Sequence, residues 1–458
     1  MNYDLIVIGG GPAGYVGAIR AAQLGKKVAC IEKERAGGTC LNWGCIPTKS
    51  LLRNAELFRL LKHRGDEFGF GFDNLRFDWS KIIKRSRDVA DKNAAGVEYL
   101  FKKNKVDYIR GEASLAGPGA VTAGSADGKT QKLEGANILI ATGVVSRPMP
   151  GLPFNGKTVI GSREAMMLTP QPKSLVIIGA GAIGVEFAYF FNAFGVQVTL
   201  VEMMPNILPL EDTEVSQTLE RALAKQGINV LAGSKVVNAE AGANAVKITI
   251  EGKKMETQEA EVCLVAIGVQ PRLPGNLAAQ VTERGYLQTD GRYQTNVPGV
   301  YAAGDIIGPP LLAHVASYEA IQAVEGMFTS HQPKKVSSFP SCTYCQPQVA
   351  SVGLSERAAK EQGLNFRVGK FPFSANGKAR VMGEVDGFVK LIFGEPYGEL
   401  LGAHILGAEA TEMIAELGLA LTLEATHEEI EASIHAHPTL SEAVHEATGQ
   451  AFGAAIHI

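Results

Sequence analysis

Short apolar runs, each closed by glycine or an acid, recur along the chain with alanine-rich helical stretches between them. The run Asp4-Leu5-Ile6-Val7-Ile8 breaks into Gly9-Gly10-Gly11-Pro12-Ala13-Gly14, and a helical stretch then leads to Val28-Ala29-Cys30-Ile31 and Glu32. Apolar runs this short, bounded by turn residues, predict buried strands of a parallel sheet. Strand, G-x-G-x-x-G, helix, strand and acid together predict a dinucleotide-binding unit. The glycines let backbone approach a pyrophosphate, and the acid stands at the distance of a ribose hydroxyl. Glycine is plentiful here, at 52 of 458 residues, so the glycine motif alone is weak. The acid after the second strand makes it specific.

The unit recurs. Ser174-Leu175-Val176-Ile177-Ile178 runs into Gly179-Ala180-Gly181-Ala182-Ile183-Gly184, then a helix, then Val198-Thr199-Leu200-Val201-Glu202. Gly9, Gly11, Gly14, Gly25 and Glu32 find counterparts 170 positions later at Gly179, Gly181, Gly184, Gly195 and Glu202, without an insertion. Two dinucleotides should therefore meet in one molecule.

Later runs set the domain plan. Ile138-Leu139-Ile140-Ala141 closes on Thr142-Gly143, and Pro148, Pro150 and Pro153 mark a crossover. Val262 to Ile267 closes on Gly268, with Pro271 and Pro274 marking the return. A turn and small-residue strand, Thr295 to Gly304, ends in Asp305. After about Pro340 the texture changes to alternating strands such as Gly387 to Phe393, with a helix near Ala410 to Leu423. The predicted fold is α/β: two Rossmann-like dinucleotide-binding domains, one inserted in the other, and a C-terminal α+β domain. The expected boundaries are 1–145 and 271–338 for the first nucleotide domain with its central region, 146–270 for the second, and 339–458 for the last.

The run Gly37-Gly38-Thr39-Cys40-Leu41-Asn42-Trp43-Gly44-Cys45-Ile46-Pro47-Thr48-Lys49 adds chemistry to this frame. Six cysteines in the whole chain are too few for a disulfide scaffold, so a pair this close predicts a redox dithiol. Bridging needs Cα atoms within about 7 Å, and Gly44 allows the bend. A helix opening at Pro47 would place Cys45 beside its N-terminus, where partial positive charge favours a thiolate.

Bulk properties narrow the rest. A net charge of −3 and a pI near 6.3 carry no electrostatic footprint for nucleic acid. Leu175 to Val201 is apolar enough to mimic a membrane span, but its clustered glycines and Glu186 read as a nucleotide unit. A first strand at residue 4 leaves no space for a signal peptide, so a cytoplasmic protein in a reducing compartment is expected. Neither His427-Glu428 nor His445-Glu446 has the second histidine of a zinc motif, and no metal is expected.

With these pieces placed, the chain resembles the flavin-linked pyridine nucleotide–disulfide oxidoreductases over its whole length. Within them its wording is similar to the dihydrolipoamide dehydrogenase branch. The Cys40–Cys45 run, Leu312-Ala313-His314 and His435-Ala436-His437-Pro438-Thr439-Leu440-Ser441-Glu442 carry that resemblance. It implies FAD on the first unit, at Gly9, Gly11, Gly14, Glu32, Lys33, Gly38, Thr39, Lys49, Ala113, Thr142, Gly143, Asp305 and Ala313. It implies NAD on the second, at Gly179, Gly181, Gly184, Glu186, Glu202, Val236 and Gly268. Lys49 and Glu186 would form a charged pair near the isoalloxazine. Cys40 would exchange with the dithiol and Cys45 face the flavin, with His437 as base, oriented by Glu442. A homodimer whose C-terminal domain sends His437 into the partner's site is implied too. So are outside partners: the lipoyl and subunit-binding domains of 2-oxo acid dehydrogenase complexes, or the glycine cleavage carrier.

Plainer readings stand beside these. Thr439-x-x-Glu442 is also a capping box, in which Glu442 merely closes a helix start. His435 reads as a packing or surface histidine. Cys342-Thr343-Tyr344-Cys345 departs from the family pattern, which has threonine at the second cysteine; two unlinked thiols are expected, with a secondary redox pair as the alternative. A sister reductase acting on glutathione or mercuric ion with NADPH competes with the main reading. Glu202 opposes it, since a 2′-phosphate favours arginine there. A non-catalytic flavoprotein scaffold would leave the complete relay unexplained.

Overall fold

The computed structural model describes residues 2–125 and 127–458. The chain divides into two compact units. The first is built from the residues up to Leu51, Asp78–Arg147 and Gly268–Ser337; the second from Leu52–Phe77, Pro148–Ile267 and Ser338–Ile458.

In the first unit a sheet runs in the order Asp107–Arg110, Val28–Glu32, Asn2–Ile8, Thr130–Ile140, Ala120–Gly124, Glu112–Leu115, with Val300–Ala302 also on Thr130–Ile140. Val28–Glu32, Asn2–Ile8, Thr130–Ile140 and Val300–Ala302 carry the expected runs, and the other three strands are not among those read from the sequence. Those from Asp107–Arg110 to Thr130–Ile140, and Val300–Ala302, run parallel. Leu5, Val7, Val28, Cys30 and Leu139 line one buried face and Ile6, Ile8, Ala29, Ile31 and Ile140 the other, which is why the runs lack polar alternation. Ile8 pairs with Ile31 and Ile140, and Ile140 with Ala302, so four parallel strands end level with one another.

The second unit repeats the plan: Asn229–Leu231, Gln197–Val201, Ser174–Ile178, Val262–Val265 and Val159–Ile160 form a parallel sheet in that order. A three-stranded antiparallel sheet, Lys235–Ala241, Val246–Glu251 and Met255–Ala260, adjoins it in sequence. The C-terminal region forms an antiparallel sheet ordered Ser341–Thr343, Gln348–Gly353, Leu400–Gly407, Phe388–Gly394, Phe366–Pro372. Helices Ala410–Thr422 and Glu442–Phe452 share its core, with Met413, Ile414, Leu417, Val444 and Ala447 against Val389, Leu391, Phe393 and Ile405.

The 170-residue repeat holds atom for atom at the glycine loops. Gly9 and Gly179 have φ of +102° and +101°. Gly10 N–H donates to Glu32 Oε2 at 2.7 Å and Glu34 N–H to Oε1 at 2.7 Å. At the corresponding atoms Ala180 N–H donates to Glu202 Oε2 at 2.7 Å and Met204 N–H to Oε1 at 2.8 Å. Ile177, Phe187, Phe190 and Leu200 are buried in the Leu175–Val201 stretch, and no described helix is long and apolar enough to cross a membrane.

One helix differs from expectation. It begins at Cys45 rather than Pro47, and the residues expected as an open bend form their own short helix, Gly38–Trp43. Thr48 supplies the reason: its N–H and hydroxyl both donate to the Gly44 carbonyl, at 3.1 and 2.7 Å, drawing the first turn back to Gly44.

Gly14 and Gly184 carry the closest backbone approach in each glycine loop. A Cβ there would stand 1.8 Å from the Gly9 carbonyl oxygen and 1.9 Å from that of Gly179. Gly96, inside helix Trp79–Lys103, has nothing within 4 Å of the same position. Gly96→Ala should therefore raise stability by about 0.5–1 kcal/mol through helix propensity, while Gly14→Ala and Gly184→Ala should each lower it by about 2 kcal/mol or more. Thermal melts of the three variants check this; an unchanged melt for Gly14→Ala would contradict it.

Candidate active site

Cys40 and Cys45 are joined by a disulfide, with Cα atoms 4.7 Å apart, and both are half-buried. Cys45 is the first residue of helix Cys45–Arg64, so its sulfur lies at the positive end of a 20-residue dipole. Three consecutive residues of helix Trp79–Lys103 hold the two sides of the bridge. Arg87 donates to the Asn42 carbonyl at 2.7 Å and lies 4.9 Å from the Trp43 ring centre. Ser86 donates to the Pro47 carbonyl at 3.0 Å, and Arg85 to the Ser50 hydroxyl at 2.7 Å. Asn42 Nδ2 ties the short helix to the Ala36 and Gly38 carbonyls, both at 3.0 Å, and Trp43 Nε1 donates to Glu34 at 3.1 Å. Sequence patterning missed Arg85, Ser86 and Arg87, which look like the polar face of an ordinary amphipathic helix.

Around the level strand ends of the first unit stand most of the expected FAD residues. Gly9, Gly11 and Gly14 follow Asn2–Ile8, Glu32 ends its strand, Thr142 and Gly143 follow Thr130–Ile140, and Asp305 follows Val300–Ala302. Gly38 approaches Gly11, so that a Cβ on Gly38 would sit 2.5 Å from the Gly11 Cα. Ala113 is buried on Glu112–Leu115, and Ala313 opens helix Ala313–Phe328. Thr39 and Lys33 are exposed, with Lys33 paired to Glu112 at 2.6 Å, while Lys49 is half-buried in the helix that starts at Cys45. Burial pushes the Asp305 carboxyl up to about 6, against the pull of its own backbone N–H. Glu319, also buried, accepts from Gly304 N–H at 2.8 Å and so fixes the turn that presents Asp305.

In the second unit Gly179, Gly181 and Gly184 follow Ser174–Ile178, and Glu202 follows Gln197–Val201. Val236 is buried on Lys235–Ala241. Glu186 is buried in helix Ala182–Ala193 and accepts from Tyr344 N–H at 2.9 Å. Gly268, φ +108°, opens the last segment of the first unit.

Near the C-terminus His437 Nδ1 lies 2.8 Å from Glu442 Oε1, and Glu442 Oε2 accepts from Thr439 N–H at 2.8 Å. The carboxylate thus holds the imidazole and the Thr439 N–H of the turn leading into helix Glu442–Phe452. The helix begins at Glu442 with Ser441 before it and the Thr439 hydroxyl donates to the Ala436 carbonyl, so the Thr439–Glu442 capping box does not form. Burial would raise Glu442, but the Thr439 N–H and His437 outweigh it and hold the carboxyl below its ordinary range. The His437 side chain is 80% exposed, leaving Nε2 open to a reactant. His435 is more than a packing residue: it is 2.6 Å from Glu416, a hydrogen bond that raises its pKa. Cys342 and Cys345 are unlinked thiols, with Cys345 buried and bonded to the Pro347 carbonyl.

Residues 3–320 match the pyridine nucleotide-disulphide oxidoreductase family, and residues 339–448 match the dimerisation domain of the same family. The chain belongs to the pyridine nucleotide–disulphide oxidoreductases. The family is dimeric through that last domain, so the chain is one subunit of a homodimer. Among curated relatives it is 46% identical to a dihydrolipoyl dehydrogenase of Chlorobaculum tepidum, over 97% of this chain and 96% of that one. It is 43% identical to a dihydrolipoyl dehydrogenase of Bacillus subtilis, over 100% and 99%. Among solved structures, LpdA from Mycobacterium tuberculosis superposes with a TM-score of 0.89 at 26% identity, over 97% and 98% of the chains.

The family works with FAD and a pyridine nucleotide, and the residues present fit both. Thr142 Oγ1 is buried without a hydrogen-bond partner among the described residues, a group that a ligand at the strand ends would satisfy. A Cβ on Gly11 would meet only the Gly38 Cα, at 3.8 Å, and one on Gly181 nothing within 4 Å, so both loops face open space where a pyrophosphate needs it.

Proposed function

We propose that this enzyme is an FAD-dependent dihydrolipoyl dehydrogenase that oxidises protein-bound dihydrolipoamide and passes two electrons to NAD. The observation that carries it is the Cys40–Cys45 disulfide at a helix start, in a chain with two dinucleotide units and full-length likeness to dihydrolipoyl dehydrogenases. A dithiol oxidised in this way is carried on lipoyl domains of 2-oxo acid dehydrogenase complexes or on the glycine cleavage carrier protein, and the cytoplasm is the fitting compartment for a catalytic disulfide.

His437 takes a proton from one substrate thiol, with Glu442 steadying the imidazolium that results. The substrate thiolate attacks Cys40 Sγ, the Cys40–Cys45 bond breaks, and Cys45 leaves as a thiolate favoured by its helix terminus. The second substrate thiol then attacks the substrate sulfur bonded to Cys40, its proton passing to the departing Cys40 sulfur, which closes the lipoamide disulfide and leaves the enzyme reduced by two electrons. FAD, bound by the first unit, supplies the two-electron link between that dithiol and NAD. In the first unit Glu32 would receive ribose hydroxyls, Asp305 would meet the ribityl or phosphate region of the cofactor with Thr142 nearby at the strand ends, and Lys49 would stand near its ring. Val236 and Gly268 border the NAD site. The expected regions follow: 1–145 and 271–338 for FAD, 146–270 for NAD and 339–458 for the dimer interface.

Glu202 sets the nucleotide choice. Its carboxylate is pinned by Ala180 and Met204 N–H groups, yet each oxygen keeps a lone pair for a ribose hydroxyl. A 2′-phosphate about 4 Å away would cost roughly 4 kcal/mol at an effective dielectric near 20, on the order of 10³ in affinity before solvent screening. The purified enzyme with dihydrolipoamide should reduce NAD and should use NADP at least about 10²-fold less efficiently. Failure to reduce NAD would overturn the function, and equal use of NADP would overturn the role of Glu202.

The two sulfurs should differ in reactivity. After reduction by dihydrolipoamide, with Cys45 facing the bound flavin and Cys40 open to substrate and to the His437 base, iodoacetamide should label Cys40 ahead of Cys45, as peptide mass mapping would read; the opposite order would exchange their roles.

His437 is proposed to serve the partner's disulfide. A positioned base typically contributes about 10²–10⁴ in rate. Pair a chain carrying both His437→Gln and Cys45→Ser with a wild-type chain. If the base acts across the dimer, each site carries one defect and activity falls to a few per cent or less. About half of wild-type turnover in the isolated heterodimer would mean that each chain uses its own histidine.

A further inference from the structure

Strand Phe388–Gly394 is buried at every position, and one of those positions is a lysine. Lys390 Nζ lies 2.9 Å from Asp212, 2.6 Å from Glu356 and 3.3 Å from Glu214, with its side chain 3% exposed. It is part of a polar row crossing the whole C-terminal sheet. Lys370 pairs with Lys390, Lys390 with His404, His404 with Ser351, and Ser351 with Ser341, one residue from each strand. Against this row lies a segment of the second nucleotide unit. Glu211 faces Ser341 and Ser351, Asp212 meets Lys390, and Glu214 spans Lys370 and Lys390.

That segment leads directly to the glycine loop. Asp212 caps helix Thr213–Lys225 by accepting from Glu214 N–H at 3.0 Å. Glu211 N–H and the Ser216 hydroxyl both donate to the Leu208 carbonyl, at 2.9 and 3.2 Å. Leu208 N–H donates to the Ala180 carbonyl at 2.8 Å, and Ala180 is the middle residue of Gly179-Ala180-Gly181. In the first unit the equivalent carbonyl, that of Gly10, is held by Gly37 N–H at 2.8 Å, and the turn there uses glycines at φ +94° and +57°. Here Leu208 takes φ +44°, a left-handed conformation a leucine adopts only where its surroundings impose it.

We propose that Lys390 is a positioning residue for NAD: through Asp212 it holds the Leu208–Asp212 turn, whose Leu208 N–H fixes the Ala180 carbonyl of the glycine loop. This rests on the second repeat being the NAD site. Three carboxylates converge on this lysine; Lys370 also pairs with Glu214 and Lys360 with Glu356, so among the described residues Asp212 is the one of the three with no second lysine. Without it the carboxylates repel, the turn loses the contact that keeps Leu208 left-handed, and the loop that approaches the pyrophosphate shifts. A misplacement of about 1 Å in a positioning element can cost on the order of 10² in rate.

The test uses the full-length, FAD-loaded enzyme in two variants: Lys390→Met, and Lys390→Met combined with Asp212→Asn. The second removes the buried lone charge that could prevent folding, and asparagine still caps the helix. The KM for NAD at saturating dihydrolipoamide should rise about tenfold in both. The rate at which dihydrolipoamide reduces the enzyme without NAD should stay within about twofold of wild type. A KM for NAD unchanged in a folded variant overturns the proposal, as does an equal loss in both measurements, which marks general destabilisation. Should the single variant fail to fold, the double variant decides by the same criteria. A wild-type enzyme that reduces no NAD would overturn the parent function itself, an outcome separate from all of these.

Discussion

A single carboxylate at the end of the second strand of each nucleotide unit, Glu32 or Glu202, organises its surroundings. It receives one backbone N–H from the glycine loop and one from the turn two residues beyond itself, and these four bonds agree within 0.1 Å between the units. Charge-assisted bonds to backbone are short and strong, so the loop is set before any ligand arrives. The glycines then follow as necessities: at Gly14 and Gly184 the helix passes so close to the loop that no Cβ fits. The open glycine loop and the entry angle of the helix after it both descend from that arrangement.

The two units use the same device to different ends. The chain after Glu32 turns through Gly37 and Gly38 and becomes the helix that carries Cys40; the chain after Glu202 turns through Leu208 and meets the C-terminal sheet. One repeat thus places a redox bridge at the strand ends of its own unit, with Arg85, Ser86 and Arg87 bracing its two sides. The other is braced by a polar row in which a buried lysine stands where neighbouring positions are apolar. Burying an ion is costly unless its partners are well placed, and here three carboxylates converge on it.

At the C-terminus, economy takes another form. Glu442, the first residue of its helix, accepts the Thr439 N–H with one oxygen and holds His437 with the other. The backbone bond orders the carboxylate that meets the imidazole, so that pair needs little further ordering.

The sequence by itself determined the two nucleotide units and the redox pair, because each rests on short-range spacing: apolar runs of strand length, glycines where backbone must approach backbone, an acid after a strand; the His437–Glu442 pair was implied by the family resemblance. The sequence also placed the C-terminal helix to within a residue, Ala410–Thr422 against an expected end near Leu423. Tertiary structure decided what depends on residues distant in the chain. Thr48 moved the start of the Cys45 helix, Arg87 met Asn42 across 45 positions, and Lys390 met Asp212 across 178. A lysine inside Phe388-Val389-Lys390-Leu391-Ile392-Phe393 announces that a buried charge needs partners, but spacing cannot name them. Hydrophobic periodicity reports which face is buried and glycine reports where space is missing; neither reports which distant carboxylate closes on a buried cation, because that is set only when the elements pack.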